Sequence, residues 1–184
     1  MILNTKSTVQ KTVMTGVMAA VLAVLSQISI PLPGGVPLTL QTFAVALCGY
    51  LLGPALGSAA AAVYLALGAS GLPAFAGFSG GIGCFLGPTG GFLWGFLPFA
   101  LLCGLGIKSE KKPLALALGA VGLASCHLAG VLQFAAVMNL SVPAAFLTAS
   151  APFLIKDGIS VALAYLASAA IRSALKKAWT GGAV

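Results

Sequence analysis

The chain has 184 residues, 60% of them apolar and only 6% charged, with a formal net charge of +7 and a mean hydropathy of +1.11. An ordinary soluble domain carries roughly a quarter charged residues, so this composition excludes one. A spanning helix needs about 20 apolar residues, which leaves room for about six spans, and runs such as 59–66 and 114–123 lack the alternation of a membrane β-barrel.

Helix breakers divide the chain. The first apolar run, 13–30, follows Lys6 and Lys11 and is too long for the apolar core of a cleaved signal segment, so it is read as a retained helix. Pro31, Pro33 and Gly34-Gly35 close it. Within it, Gly16-x-x-x-Ala20 and Ala19-x-x-x-Ala23 put small residues one turn apart, a spacing that lets another helix of this chain or of a partner approach closely. A second helix is predicted from Leu38 to Leu52, ending at Gly53-Pro54, and a third from about Ala55 to Gly68. The segment from Gly71 to Gly91 holds eight glycines with Pro73 and Pro88, too broken for one helix and too apolar for a disordered linker. Helices from Gly90 to Ile107 and from Leu114 to Met138 follow. The last begins near Pro143 or Pro152, with Ser150 as a cap in the second case, and runs to about Lys177. The expectation is an all-α integral membrane protein: one domain over 1–184, six transmembrane helices, and a glycine-rich loop between the third and fourth.

The cations orient it. Lys6 and Lys11, then Lys108, Lys111 and Lys112, then Arg172, Lys176 and Lys177 all fall on one side of a six-helix chain, which the positive-inside rule makes cytoplasmic. Both termini are therefore expected in the cytoplasm, the glycine-rich loop outside, and the protein in the cell membrane. The cations are spread over three segments without a basic stripe, so the partner they imply is the lipid bilayer and not a nucleic acid.

One ionisable pair breaks the pattern. No Asp, Glu, Lys or Arg occurs over 12–107 or 113–155, yet Lys156 and Asp157 stand inside the last apolar stretch. A charge at bilayer depth costs several kcal/mol on the lower estimates unless it meets a cavity, a partner or a ligand. Asp157 is expected roughly 8 to 20 Å along the helix from its outer end. Adjacent helical residues point about 100° apart, so the pair is expected to flank a ligand instead of forming an internal salt bridge. Gln27, Thr39, Gln41, Thr42, Ser79 and Thr89 fall on the same outer side, with Tyr64, Phe78, Phe92 and Trp94 available as walls, which together point to an outward-facing pocket.

Other chemistries fit less well. Cys48, Cys84, Cys103 and Cys126 have no metal-ligand spacing and are read as packing residues, with neither metal nor cofactor implied. His127, alone in its helix, is read as a packed or hydrogen-bonded core histidine. The glycine-rich segment has no G-x-G-x-x-G after a strand, and no Gly-Lys dipeptide occurs for a phosphate loop, so the chain does not hydrolyse ATP by that route. An enzyme would need a second titrating group near Asp157, and the spacing offers only Lys156. An ion- or proton-coupled secondary transporter would also keep an Asp-Lys pair, although the two halves show no inverted repeat.

The strings Gln27-Ile28-Ser29-Ile30-Pro31-Leu32-Pro33-Gly34-Gly35-Val36-Pro37-Leu38-Thr39-Leu40-Gln41-Thr42 with Gly53-Pro54, Gly71-Leu72-Pro73-Ala74-Phe75-Ala76-Gly77-Phe78-Ser79-Gly80-Gly81 with Gly87-Pro88-Thr89-Gly90-Gly91, and Pro152-Phe153 leading into Asp157 resemble the BioY family, the biotin-specific S components of energy-coupling factor (ECF) transporters. The resemblance runs in order along nearly the whole chain. It implies a six-helix, non-enzymatic subunit that captures biotin from outside and depends on a transmembrane T component and a pair of cytoplasmic ATPases. Asp157 then matches the aspartate expected to bond the ureido end of biotin. Ser79 and Gly80 match the loop expected to close the site, and Gln41 the outer end of the second helix. Gly16, Ala19, Ala20 and Ala23 resemble the family's docking surface for the T component. The chain departs from the pattern at Lys156 and Ser160, where the family often has glycine and lysine, so the resemblance assigns no partner to the biotin carboxylate.

Overall fold

The computed structural model describes residues 8–32, 35–109 and 111–180. Readings placed on Lys6, Pro33 and Gly34 therefore lie outside the described residues. Helices α1 (Thr8–Ser26), α2 (Gln41–Leu52), α3 (Pro54–Ala69), α4 (Gly83–Leu86), α5 (Gly90–Lys108), α6 (Lys112–Met138), α7 (Val142–Ala149) and α8 (Leu154–Thr180) dominate it. A minimal antiparallel ribbon, β1 (Ser29–Ile30) with β2 (Leu38–Thr39), is the departure from an all-helical chain.

Proline chemistry accounts for the ribbon. The predicted first helix ran on to Ile30, but Pro31 disfavours the helical conformation in the residue before it. α1 accordingly ends at Ser26, and Ser29 and Ile30 extend to pair with Thr39 and Leu38. The partner strand uses Leu38 and Thr39, so α2 starts at Gln41 and not at Leu38. The expected choice between Pro143 and Pro152 for the last helix resolves into both. Ser141 caps α7, its hydroxyl accepting from the Ala144 amide. The chain then breaks at Ser150, makes a 3-10 turn over Ala151–Phe153, and resumes as α8. Ser150 makes no side-chain cap bond there.

Among the described residues, four helical stretches are long and apolar enough to cross a membrane: Thr8–Ser26, Gly90–Lys108, Lys112–Met138 and the composite Val142–Lys177. α2 and α3 are shorter, at 12 and 16 residues, or about 18 and 24 Å at 1.5 Å per residue. Of the six transmembrane helices expected, four thus correspond to long stretches, while α2 and α3 are shorter. Gly53, at φ +83, sets the sharp junction between the short pair, with Pro54 opening α3.

α2 lies at the centre, almost wholly buried against α3, α5 and α8. Close approach requires small residues there: a Cβ on Gly49 would strike the Ala100 carbonyl and the Cys103 side chain on α5. α2 also fixes the two ends of the molecule. Beside its C-terminus, Arg172 Nη1 donates to the Tyr50 carbonyl at 3.1 Å, and the Tyr50 hydroxyl donates to the Ala115 carbonyl at 3.0 Å. Lys108, Lys111, Lys112 and Arg172 therefore gather at one end. Thr39 and Gln41 mark the other, where α8 begins.

The packing predicts opposite responses to one substitution type. Gly49→Leu should destabilise by about 1–3 kcal/mol through overpacking, read as a lower thermal midpoint in detergent. Gly16→Leu, on an exposed helix face with open space around the α-carbon, should leave the midpoint unchanged.

Candidate ligand-binding site

At the end of the molecule where α2 and α8 start, a cavity of about 370 Å³ opens between α2, the 71–89 segment, α5, α6 and the α7–α8 junction. That size falls within the usual range for small-molecule sites, about 300–1,000 Å³. Phe75, Phe92, Phe96 and Phe153 supply aromatic wall, and Leu93 and Leu123 aliphatic wall. The polar lining is Thr39, Gln41, Thr42, Ser79, Thr89, His127, Lys156 and Asp157. An apolar interior with a few convergent polar groups suits a compact, mostly apolar ligand recognised through one polar end.

Asp157 occupies the first turn of α8 and is 4% exposed. That position lies at the positive end of the α8 dipole. The break at Ser150 and the 3-10 turn place it there, because an uninterrupted helix from Pro143 would have put Asp157 mid-helix. Its Oδ2 lies 3.3 Å from His127 Nε2. Its Oδ1 meets the Lys156 ammonium in an ion pair and is itself closed to solvent. The side chains of Lys156 and Asp157 therefore do meet, contrary to the expectation from adjacent helical positions. The flexible four-carbon Lys156 stem folds back, and the ammonium also donates to the Thr39 carbonyl at 2.8 Å. Thr42 on α2 faces the same carboxylate.

His127 is a buried, hydrogen-bonded histidine. Its Nδ1 pairs with Ser150 Oγ at 2.8 Å, and Phe92 packs edge-on to its ring with centroids 5.8 Å apart. Sequence spacing put no titratable group beside Asp157 except Lys156; packing of α6 against α8 adds His127. The available signal was a lone imidazole in an apolar helix, which does not say what it faces.

Two glutamines hold the glycine-rich segment over this end. Gln27, just past α1, donates from Nε2 to the carbonyls of Ala23 (3.0 Å), Ala74 (3.1 Å) and Phe75 (3.2 Å), and its Oε1 accepts from the Phe78 amide at 2.9 Å. Ser26 Oγ donates to the Ala74 carbonyl at 2.7 Å. From α6, Gln133 Nε2 donates to the carbonyls of Phe85 and Gly87 at 2.6 and 2.8 Å. Phe75, 3% exposed, anchors the segment between Tyr64 and Phe85.

Of the predicted site residues, Asp157, Lys156, Ser79, Gln41 and Thr39 line the cavity. The structure does not bring the other four there. Tyr64 is fully buried behind Gln41, whose Nε2 donates to its hydroxyl at 2.8 Å. Phe78 and Trp94 are 71% and 53% exposed; Trp94 packs on Phe85 outside the cavity. Gly80 lies against the Leu72 carbonyl, with no space for a Cβ. Phe75, Phe96 and Phe153 are wall residues that sequence reasoning passed over, since phenylalanines in an apolar chain carry no contrast. The four small residues of α1 divide between faces: Gly16 and Ala20 are exposed, Ala23 is half-buried and Ala19 is buried.

Comparison with known proteins gives one family. The profile of the BioY family matches residues 3–177. The biotin transporter BioY of Thermotoga maritima is 47% identical over 63% of this chain and 69% of its own length. The probable biotin transporter BioY of Pyrococcus horikoshii is 40% identical over 80% of this chain and 86% of its own. A solved structure described as the S-component for biotin from an ECF-type ABC transporter superposes with a TM-score of 0.81 at 25% identity, covering 95% of both chains.

The glutamine strap is testable by hydrogen exchange. Gln27→Ala removes the acceptor of the Phe78 amide and three carbonyl contacts, so exchange over residues 74–79 should speed up at least about tenfold, the equivalent of about 1.4 kcal/mol, while α2 amides stay protected.

Proposed function

This chain belongs to the BioY family, and we propose that it is the biotin-binding S component of an ECF-type uptake system, a multi-pass protein of the cell membrane that captures biotin on the outer side. The observation that carries the reading is the Lys156–Asp157 ion pair at the cavity wall: a carboxylate and a cation among aromatic and aliphatic lining, in a chain nearly without charge. Biotin offers the matching chemistry. Its ureido ring carries two N–H donors and a carbonyl acceptor on an otherwise apolar bicycle.

In this reading a ureido N–H donates to the Asp157 carboxylate, and the Lys156 ammonium, already oriented by Thr39, donates to a ligand acceptor. Charge-assisted bonds of this kind contribute about 1.5–3 kcal/mol each. The four phenylalanines and two leucines pack the ring system and tail. The 71–89 segment, with Ser79 at the cavity, serves as the outer cover. Irregular backbone is tolerated at membrane depth when it lines a cavity and finds internal partners, which Gln27 and Gln133 supply.

Six membrane-embedded helices over 1–184, the short α2 and α3 among them, would form one binding unit with both termini in the cytoplasm. The gathering of Lys108, Lys111, Lys112 and Arg172 at the end opposite the cavity supports that orientation. Transport requires energy from outside the chain, so the T component and ATPase pair are its proposed partners. Gly16 and Ala20 offer an open, small-residue face on α1 for a T-component helix.

Isothermal titration of the purified chain should show tight biotin binding without nucleotide or ion gradient. Asp157→Asn should weaken it about ten- to hundredfold with a normal elution profile. Absence of biotin binding together with proton-driven uptake lost in Asp157→Asn would replace this reading by a secondary transporter. Separately, Gly16→Leu with Ala20→Leu should leave biotin binding intact and reduce co-purification with the T component; unchanged co-purification would remove α1 as the docking face.

A further inference from the structure

The cavity lining is balanced in charge, and that balance bears on which ligands it admits. We propose that the site reads the ureido head and leaves the acid of the tail unread, so that its substrates form a class: biotin together with neutral amides of its carboxyl group. The proposal rests on the reading of the cavity as a biotin site.

Biotin ends in a carboxylate, and a site that selects for that charge has to offer it a cation. Among the described residues of the lining, Lys156 is the one Lys or Arg and Asp157 the one carboxylate. The two neutralise one another, and the ammonium also donates to the Thr39 carbonyl at 2.8 Å. No second cation stands in reserve. The rest of the lining comes from the stretches 12–107 and 113–155, which contain no Lys or Arg, and Lys108, Lys111, Lys112 and Arg172 gather at the opposite end of the molecule. The neutral groups carry no preference for an anion either. Ser79 Oγ donates to the Ala76 carbonyl at 2.8 Å and Thr39 Oγ1 to Gln41 Oε1 at 3.1 Å, so both spend their hydroxyl protons inside the protein. Thr42 faces Asp157, and Thr89 can donate to an amide carbonyl as it can to a carboxylate.

Depth then orients the ligand. Phe96, Leu123 and Cys126, all buried, form the inner end of the cavity. His127, which meets Asp157, is the next residue after Cys126, so the carboxylate of the protein stands near that floor. Gly35 and Ser79, both exposed, lie at the rim. A ureido head bound at Asp157 therefore sends its tail toward the rim. An acid at the apolar floor would be a second buried charge without a partner, which the membrane interior penalises; at the rim it keeps its water. A carboxylate that keeps its water can be exchanged for an amide with little loss, and a substituent on that amide extends outward.

The test is titration of the purified chain with biotin, its primary amide and an N-alkyl amide, in the wild type and in Lys156→Met. Both amides should bind the wild type within about threefold of biotin, whereas losing a direct ion pair to the carboxylate would cost at least about tenfold. Lys156→Met should weaken the acid and the amides together, by factors that agree within about threefold, because the ammonium acts on the head and on Asp157.

A larger preference of the wild type for biotin over the primary amide would overturn the proposal, as would a loss in Lys156→Met confined to biotin, which would make Lys156 the reader of the acid. A larger preference against the N-alkyl amide alone would show a closed rim and overturn the extension to substituted amides. If Lys156→Met does not fold, the wild-type ratios decide. A wild type that binds neither biotin nor its amides overturns the functional reading itself, an outcome distinct from all of these.

Discussion

Asp157 is buried at 4% exposure in a chain whose only other acid is Glu110. A lone carboxylate at bilayer depth costs several kcal/mol, so the surrounding structure has to supply positive potential and hydrogen-bond donors. Three sources meet that demand from three directions. α8 contributes the positive end of its dipole and Lys156, α6 contributes His127, and β2 contributes the Thr39 carbonyl that keeps the ammonium in place. Each requires a neighbouring element to stand at a set distance, so neutralising one charge fixes how α2, α6 and α8 converge. Both members of the ion pair also line the cavity, which separates a binding site from a structural ion pair sealed in the core.

The break between α7 and α8 follows from the same constraint. A continuous helix through 142–177 would carry all its backbone hydrogen bonds but would place Asp157 mid-helix, where the dipole offers little. Pro152 removes one amide donor and favours a new helical start beside it. The cost of the interruption is lessened by short-range bonds, Ser150 amide to Phe146 carbonyl at 3.0 Å and Phe153 amide to Ser150 carbonyl at 2.9 Å.

The glycine-rich cover obeys a different rule. Its apolar residues cannot leave the membrane face, and its irregular backbone cannot stay there unbonded. Gln27 and Gln133, with Ser26, answer the second requirement by reaching from α1 and α6 to its carbonyls. The strap also joins the end of α1 to the cover of the cavity. A helix proposed to meet a partner and a segment proposed to close over a ligand therefore share one side chain, so a shift of α1 would be felt at Phe75 and Phe78.

Much of this was legible in the sequence. Composition and helix breakers located every long helix to within a few residues, except where Pro31 drew Ser29 and Ile30 into a strand. The scarcity of charge singled out Lys156 and Asp157, and the polar residues flanking the loops named Gln27, Thr39, Gln41, Thr42, Ser79 and Thr89, of which all but Gln27 line the cavity. These are local signals, since apolar runs, prolines and isolated charges act within a turn or two of where they stand. Only the folded chain decided that Lys156 bonds a carbonyl 117 residues away, that His127 and not solvent meets Asp157, and that Phe75, Phe96 and Phe153 are walls whereas Trp94 and Phe78 are not. Those outcomes depend on which helix faces pack together, and in a chain that is apolar on nearly every face, periodicity cannot tell one face from another.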